Sequence, residues 1–253
     1  MPPILMYHQV APTAPAAYAR YTVTPAVFGR HVRILATLGY RTISLERLNA
    51  AHTAGIPLPK RTVVITFDDG FADTVRYAVP ELNRHGFTAT FFVVAGLIGR
   101  SSEWTRRRRG IEMPLSDMRA LRDLADAGFT VGSHTITHRP LSDLEETECR
   151  YELRESKRRL EEELGCEVRD VAYPYGSTNE LVRQAAADCG YRTACSTIDG
   201  ISEATDDPLM LRRVHITGAD SLADFLCRIG TGHPIRNLVQ RVRVTMKVSD
   251  FPR

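Results

Sequence analysis

Two aspartates stand side by side in TFDDG, residues 66–70, and two histidines stand four apart in GSHTITHRPL, as His134 and His138. Adjacent carboxylates repel, so a pair fixed in place needs a cation or a shared proton to offset the cost. Two imidazoles at this spacing can face one ion from a single helical turn or tight loop. A carboxylate from elsewhere then completes three protein ligands and leaves a coordination position open for water, the arrangement of a hydrolytic zinc centre. An Asp before the helical pattern at 72–86 can also serve as its N-cap, which accounts for one aspartate and not for two.

The elements around these residues place them together. The β-branched run TVVITF (62–67) reads as a buried strand, so Asp68 and Asp69 lie at its end and Gly70 begins the turn. Further strands are expected at 3–8, 88–96, 129–134, 168–174, 191–197 and 211–217. Helical patterns occupy 26–40, 72–86, 115–128, 141–164, 180–190 and 221–230. Strand and helix alternate, which predicts right-handed β-α-β units around a parallel sheet, closed or nearly closed into a barrel. In such barrels the chemistry gathers at the C-terminal strand ends. His8, Asp68, Asp69, His134, Tyr175 and Gly176 all fall there, so residues distant in sequence share one rim.

Bulk properties narrow the class. The chain has 253 residues, 43% of them hydrophobic, and lacks any linker, repeat or charge block that would divide it, so one domain over 1–253 is expected. A net charge of +3 argues against nucleic acid as a partner. Arg106 to Arg109 form the one basic cluster, read as a solvated loop with an anionic substrate or surface as the alternative. Five cysteines without a C-x-x-C pair read as reduced thiols. With no secretory signal and no membrane span in view, a cytoplasmic location is expected, although a trimmed leader would look the same.

The pair TFDDG and HTITH resembles the polysaccharide deacetylases of carbohydrate esterase family 4, metal-dependent N-deacetylases of amino sugars, and the likeness runs from Ile4 to about Ile216. It implies a distorted parallel (β/α) barrel, with Asp68 as catalytic base and Asp69, His134 and His138 as metal ligands. AYPYG resembles the family's third motif, which implies the Tyr175 backbone N–H as oxyanion donor. The implied reaction is hydrolysis of a carbon–nitrogen bond: removal of acetyl from an N-acetylated sugar or glycan, with a metal polarising the carbonyl and Asp68 taking a proton from water. Two imidazoles and a carboxylate accept zinc first, and also cobalt, nickel or iron.

Two positions depart from that family's pattern. The Arg that orients the base is replaced by Ala172, and Arg213 is the candidate substitute, since a guanidinium can grip a carboxylate through two hydrogen bonds. The usual C-terminal L-x-x-H is one residue too long in LRRVH, whereas LMYH fits at the first strand, as in the circularly permuted poly-N-acetylglucosamine deacetylases. His8 is therefore the expected general acid, with His215 as the fallback. Tyr7 and Phe71 read as pocket wall. Trp104 is either a sugar-stacking ring or a buried lid anchor. His31, His52, His85 and His233 read as surface or packing residues. The alternatives are hydrolysis of another non-peptide amide at the same site, or a carbohydrate-binding protein without turnover.

Overall fold

Alternating apolar residues along each strand decide which side chains line the barrel and which meet the helices. The computed structural model describes residues 1–235. In chain order the strands are β1 (Ile4–Tyr7), β2 (Gln9–Val10), β3 (Thr22–Val23), β4 (Arg41–Thr42), β5 (Thr62–Phe67), β6 (Thr90–Val93), β7 (Thr130–Ser133), β8 (Asp170–Ala172), β9 (Thr193–Asp199) and β10 (Leu211–His215). The helices are α1 (Pro25–Thr37), α2 (Leu45–Thr53), α3 (Ala72–Arg84), α4 (Glu103–Arg109), α5 (Met118–Asp126), α6 (Glu146–Leu164), α7 (Glu180–Asp188) and α8 (Leu222–Thr231). Seven strands, in the order β1-β10-β9-β8-β7-β6-β5, close into a parallel barrel where β1 pairs with β5, and β4 adds to β5. The pairing Tyr7↔Phe67 sets the ends of β1 and β5 level, so His8 emerges beside Asp68.

The core divides along the strand period. Leu5, Tyr7, Val63, Ile65, Phe67, Phe91, Val131, Val171, Ala194 and Val214 pack outward, in one cluster with Phe28, Leu35, Leu82, Leu153 and Phe225 of the helices. Ile4, Val64, Phe92, Ala172, Cys195 and Leu211 form a second cluster with Leu45 and Leu48. These belong to the opposite parity, facing into the barrel, where α2 closes the N-terminal mouth. Continued toward the C-terminal ends, the inward parity gives Met6 and His8 on β1, Thr66 and Asp68 on β5, and Arg213 and His215 on β10.

Helix ends carry the expected signals. Thr24, Ser44, Asp117, Asn179 and Ser221 each accept a backbone N–H as N-caps. The expected helix 141–164 is instead a short 3-10 turn, Leu141–Asp143, followed by α6. Helix α3 starts at an N-cap of Phe71 with no side-chain cap, so neither aspartate is spent on capping. The Arg106–Arg109 run closes α4, a short helix rather than a loop. All five cysteines are free. Among the described residues no helix is long and apolar enough to cross a membrane. The expected domain span 1–253 runs on through 236–253, which lie outside the described residues.

Candidate active site

Asp68 continues the inward parity of Val64 and Thr66, whereas Asp69 on an extended strand would face the helices. A left-handed backbone at Asp69 (φ 76°) and Gly70 (φ 73°) breaks the alternation, and both aspartates line one cavity of about 500 Å³. Left-handed conformation in a non-glycine residue is strained, and such strain collects at functional sites. The histidine loop shows it as well, at Thr135 (φ 66°) and His138 (φ 61°).

Asp69, His134 and His138 each offer one ligand atom, and the three atoms lie within 4.8 Å of one another. Asp69 Oδ1 stands 3.5 Å from His134 Nε2 and 3.1 Å from His138 Nε2. The His134 Nδ1–H donates to the Ala172 carbonyl at 2.7 Å, which holds the ring with Nε2 turned toward Asp69. All three side chains are buried. A carboxylate and two imidazoles turned on one point, away from bulk water, fit a divalent cation that brings two imidazole nitrogens and one carboxylate oxygen together and leaves positions open. Burial pushes the Asp69 carboxyl up, but hydrogen bonding to the two imidazoles holds it well below the usual range. Burial likewise pushes both imidazoles down; Asp69 and Asp68 reverse this at His134, which titrates above an ordinary histidine, and fail to at His138, which titrates below.

Asp68 is held separately. Arg213, fully buried, donates from its two terminal nitrogens to Oδ1 and Oδ2 of Asp68 at 2.6 and 2.7 Å. Its Nε–H donates to the Ser196 carbonyl at 2.9 Å and a terminal N–H to Thr66 Oγ1 at 3.2 Å, so the fork is gripped on three sides. Burial raises the Asp68 carboxyl, and the Arg213 charge and hydrogen bonds overcome it, leaving a net lowering. Asp68 is thereby kept ionised with a fixed orientation. Ala172 is buried on the inward face of β8, and the guanidinium beside Asp68 comes from β10.

His8 lines the same cavity, and its ring has no protein hydrogen bond among the described residues. Burial lowers its pKa, opposed by Asp69 and Asp68. His215 also lines the cavity, but its Nε2 is engaged with the Thr197 carbonyl at 2.9 Å. Tyr175 takes a left-handed backbone (φ 59°) in the turn Pro174–Gly176. A Cβ at Gly176, itself left-handed at φ 68°, would fall 2.0 Å from Thr197 Oγ1, so this turn requires glycine. The Tyr175 ring stands edge-on to His138, with centroids 4.7 Å apart.

Trp104 is buried, stacks on His138 at 4.3 Å and lines the cavity. Phe71 is buried in the cluster around Trp104, and Tyr7 faces the helices with its hydroxyl 3.1 Å from His31 Nδ1, so neither of these expected wall residues lines the cavity. His31 is a packing residue, stacked on Phe225 at 3.9 Å. Two contacts carry no sequence signal. Tyr18, on the 3-10 turn Ala16–Tyr21, donates its hydroxyl to Asp69 Oδ2 at 2.7 Å. Glu152 of α6, also buried, accepts the backbone N–H groups of Ile136 and Thr137 at 2.9 Å each and the Thr137 hydroxyl, tying down the loop between the two histidines.

Comparison with known proteins points to one family and one fold. YxkH of Bacillus subtilis (strain 168), whose name places it with the polysaccharide deacetylases, is 27% identical over 215 residues, covering 85% of this chain and 71% of that protein. The deacetylase PplD of Streptococcus pyogenes, solved in complex with acetate, superposes with a TM-score of 0.78 at 25% identity, over 92% of this chain and 98% of that one. IcaB of Ammonifex degensii shares the fold, with a TM-score of 0.76 at 24% identity over 90% of this chain and 94% of that one. Residues 55–194, which hold TFDDG, HTITH and AYPYG, match the polysaccharide deacetylase family, and the chain belongs to it.

Proposed function

We propose that the protein is a metal-dependent N-deacetylase that removes acetyl from an N-acetylated amino sugar or glycan. Membership of the family makes it a hydrolase of carbon–nitrogen bonds. The observation that carries the finer reading is the joint presence, in one cavity, of a His134–His138–Asp69 ligand set and a second carboxylate, Asp68, gripped by Arg213. Zinc is the first choice of ion for this donor set. When bound, such an ion supplies Lewis acidity, polarising an acetamide carbonyl and making a nearby water more acidic.

The chain's own groups account for the remaining chemistry. Asp68, ionised and fixed by Arg213, accepts the proton of the attacking water as general base. The Tyr175 N–H, in a turn whose geometry is set by Gly176, donates to the oxygen that gains charge as the carbonyl becomes tetrahedral. His8, with a ring free to move a proton, protonates the departing amine. His215 is the poorer acid, because its Nε2 is committed to the Thr197 carbonyl. Acetate and a free amino sugar result, which is consistent with acetate being the molecule bound to PplD.

The Asp68–Arg213 pair also favours turnover over a binding protein without activity, since a guanidinium beside the base answers the loss of arginine at position 172. The test measures acetate release from N-acetylglucosamine oligomers by zinc-loaded protein. Release that stops on chelation and returns with zinc is expected. His8→Ala should lower kcat by about 10²–10⁴-fold and His215→Ala by far less. A His8→Ala protein that keeps full kcat would refute the assignment of the acid.

A further inference from the structure

The mouth of the catalytic cavity carries a charge imbalance that the chemistry above does not use. Its carboxylates are Asp68 and Asp69, one paired with Arg213 and the other turned on two imidazoles. The arginines that line it are Arg20, Arg108 and Arg109. Arg109 is spent on structure, donating to the Ala17 carbonyl at 2.8 Å with its guanidinium over Tyr21. Arg20 and Arg108 are exposed and have no carboxylate partner among the described residues. Arg108 lies with its guanidinium 3.8 Å from the centroid of the Tyr175 ring. Stacking occupies the face of a guanidinium and leaves its N–H edge free, the posture in which arginine takes a carboxylate or phosphate through two parallel hydrogen bonds.

A neighbouring groove gives the contrast. It shares Trp104, Arg108, His138 and Tyr175 with the cavity and adds Arg107 and Arg139. Both of those are answered by acids, Arg107 by Glu103 at 3.5 Å and Arg139 by Glu148 at 3.2 Å. Cationic side chains at the end of a helix ordinarily offset its dipole, and that accounts for several arginines in the last turn of α4. It does not account for the stack of Arg108 on a residue of the catalytic rim, nor for the arrival of Arg20, at the end of the separate 3-10 turn Ala16–Tyr21, at the same mouth.

We infer that the substrate is an anionic N-acetylated glycan, with a carboxylate or phosphate group close to the reacting sugar, and that Arg20 and Arg108 bind that group at the mouth of the catalytic cavity. This rests on the N-deacetylase reading and adds the substrate class. Asp68 is paired with Arg213 and Asp69 is engaged by His134, His138 and the Tyr18 hydroxyl, so an incoming anion meets the arginines at the mouth with no unengaged carboxylate beside them.

The experiment compares zinc-loaded protein on three probes: chitotetraose as the neutral oligomer, a hyaluronan tetrasaccharide as the carboxylate form, and N-acetylglucosamine 1-phosphate, set against N-acetylglucosamine, as the phosphate form. Acetate release gives kcat/KM, and quenching of Trp104, the single tryptophan, reports binding separately. At low ionic strength one of the anionic probes should exceed its neutral counterpart by about tenfold in kcat/KM, as charge-assisted bidentate contacts allow. That margin should shrink in about 0.5 M salt, where exposed charges are screened. Arg20→Ala combined with Arg108→Gln should bring the anionic-to-neutral ratio to about one, while Arg108→Lys, which keeps the charge and loses the fork, should fall between. Whichever anionic probe is preferred identifies the group. Neutral probes matching or exceeding both anionic ones in turnover and in binding would overturn the inference and leave the deacetylase reading standing, and so would a preference that persists in the double variant. If no probe releases acetate but anionic probes quench Trp104 at lower concentration than neutral ones, the deacetylase reading fails and the anion site survives.

Discussion

The Asp68–Arg213 pair permits a quantitative test, because both partners are buried and each is the other's answering charge. Arg213→Met keeps length and apolar stem but removes the guanidinium. Asp68 then loses two charge-assisted hydrogen bonds, and the Ser196 carbonyl and Thr66 hydroxyl lose a donor. Breaking a buried pair by deleting one partner costs about 3–5 kcal/mol, because the other charge stays buried and unpaired. Asp68→Asn should cost a similar amount for the reciprocal reason, since arginine cannot shed its proton to escape. In the double variant neither charge remains, and replacement of a buried pair by neutral groups is often close to neutral. The double variant should therefore be more stable than the sum of the single losses by about 6 kcal/mol or more, a coupling well above the ~0.5 kcal/mol within which independent sites add. Urea denaturation of chelated protein is the assay, so that metal binding does not shift the equilibrium. Additive losses, or a cost below about 1 kcal/mol for Arg213→Met alone, would refute the claim that Arg213 stabilises an ionised Asp68. Activity should fall in all three variants and recover in none, because the stability and the orientation of the base are separate consequences of one contact.

Tyr18→Phe and Glu152→Gln leave the three ligands in place and remove what steadies them; each should weaken zinc binding by about 10–100-fold, measured by competition with a chromogenic chelator, and unchanged affinity in both would mean that the ligand set holds itself. Asp170, buried at the base of the barrel, has its carboxyl pushed up to about 6 by burial against the hydrogen bond from Thr193. Its folded pKa lies above the unfolded value, so the folded state keeps a proton that the unfolded state has lost, and this contribution to stability is full at low pH and declines as pH rises through about 6. Asp170→Asn should remove that decline, gaining on the parent by on the order of 3 kcal/mol between about pH 4 and pH 7 in urea titrations. His31, pushed down to about 4 by burial, has the opposite sign: it costs stability as pH falls below the ordinary histidine range.

Much of this site was legible from residue type and strand period. Asp68, His8 and Arg213 each continue the inward parity of an apolar strand, so once those strands were recognised their side chains had to meet inside the barrel. Tyr18 was not legible, because the turn Ala16–Tyr21 has neither helical nor strand periodicity and its position over Asp69 follows from tertiary packing alone. Glu152 was hidden in a helix of charged residues, where one buried glutamate looks like its solvated neighbours. The two-residue strands β2, β3 and β4 are shorter than any pattern can register. Helix α4 escaped for a related reason: only Trp104 and Thr105 of its residues are buried, too few to make an apolar stripe.

The irregularity of β9 explains how an arginine from β10 can do for Asp68 what a residue on β8 would otherwise do. Leu211 pairs with Cys195, but Arg213 pairs with Asp199, so Arg212 alone stands against Ser196, Thr197 and Ile198. A bulge of this kind bends the strand and leaves carbonyls without ladder partners. Two of those carbonyls are taken by side chains of β10: Ser196 accepts from Arg213 Nε and Thr197 is bonded to His215 Nε2. The same distorted stretch therefore takes part in holding the guanidinium that reaches Asp68 and engages the His215 ring, in keeping with the proposal that His8 is the acid. Ala172 faces the same interior, on the strand that pairs with β9 from the other side.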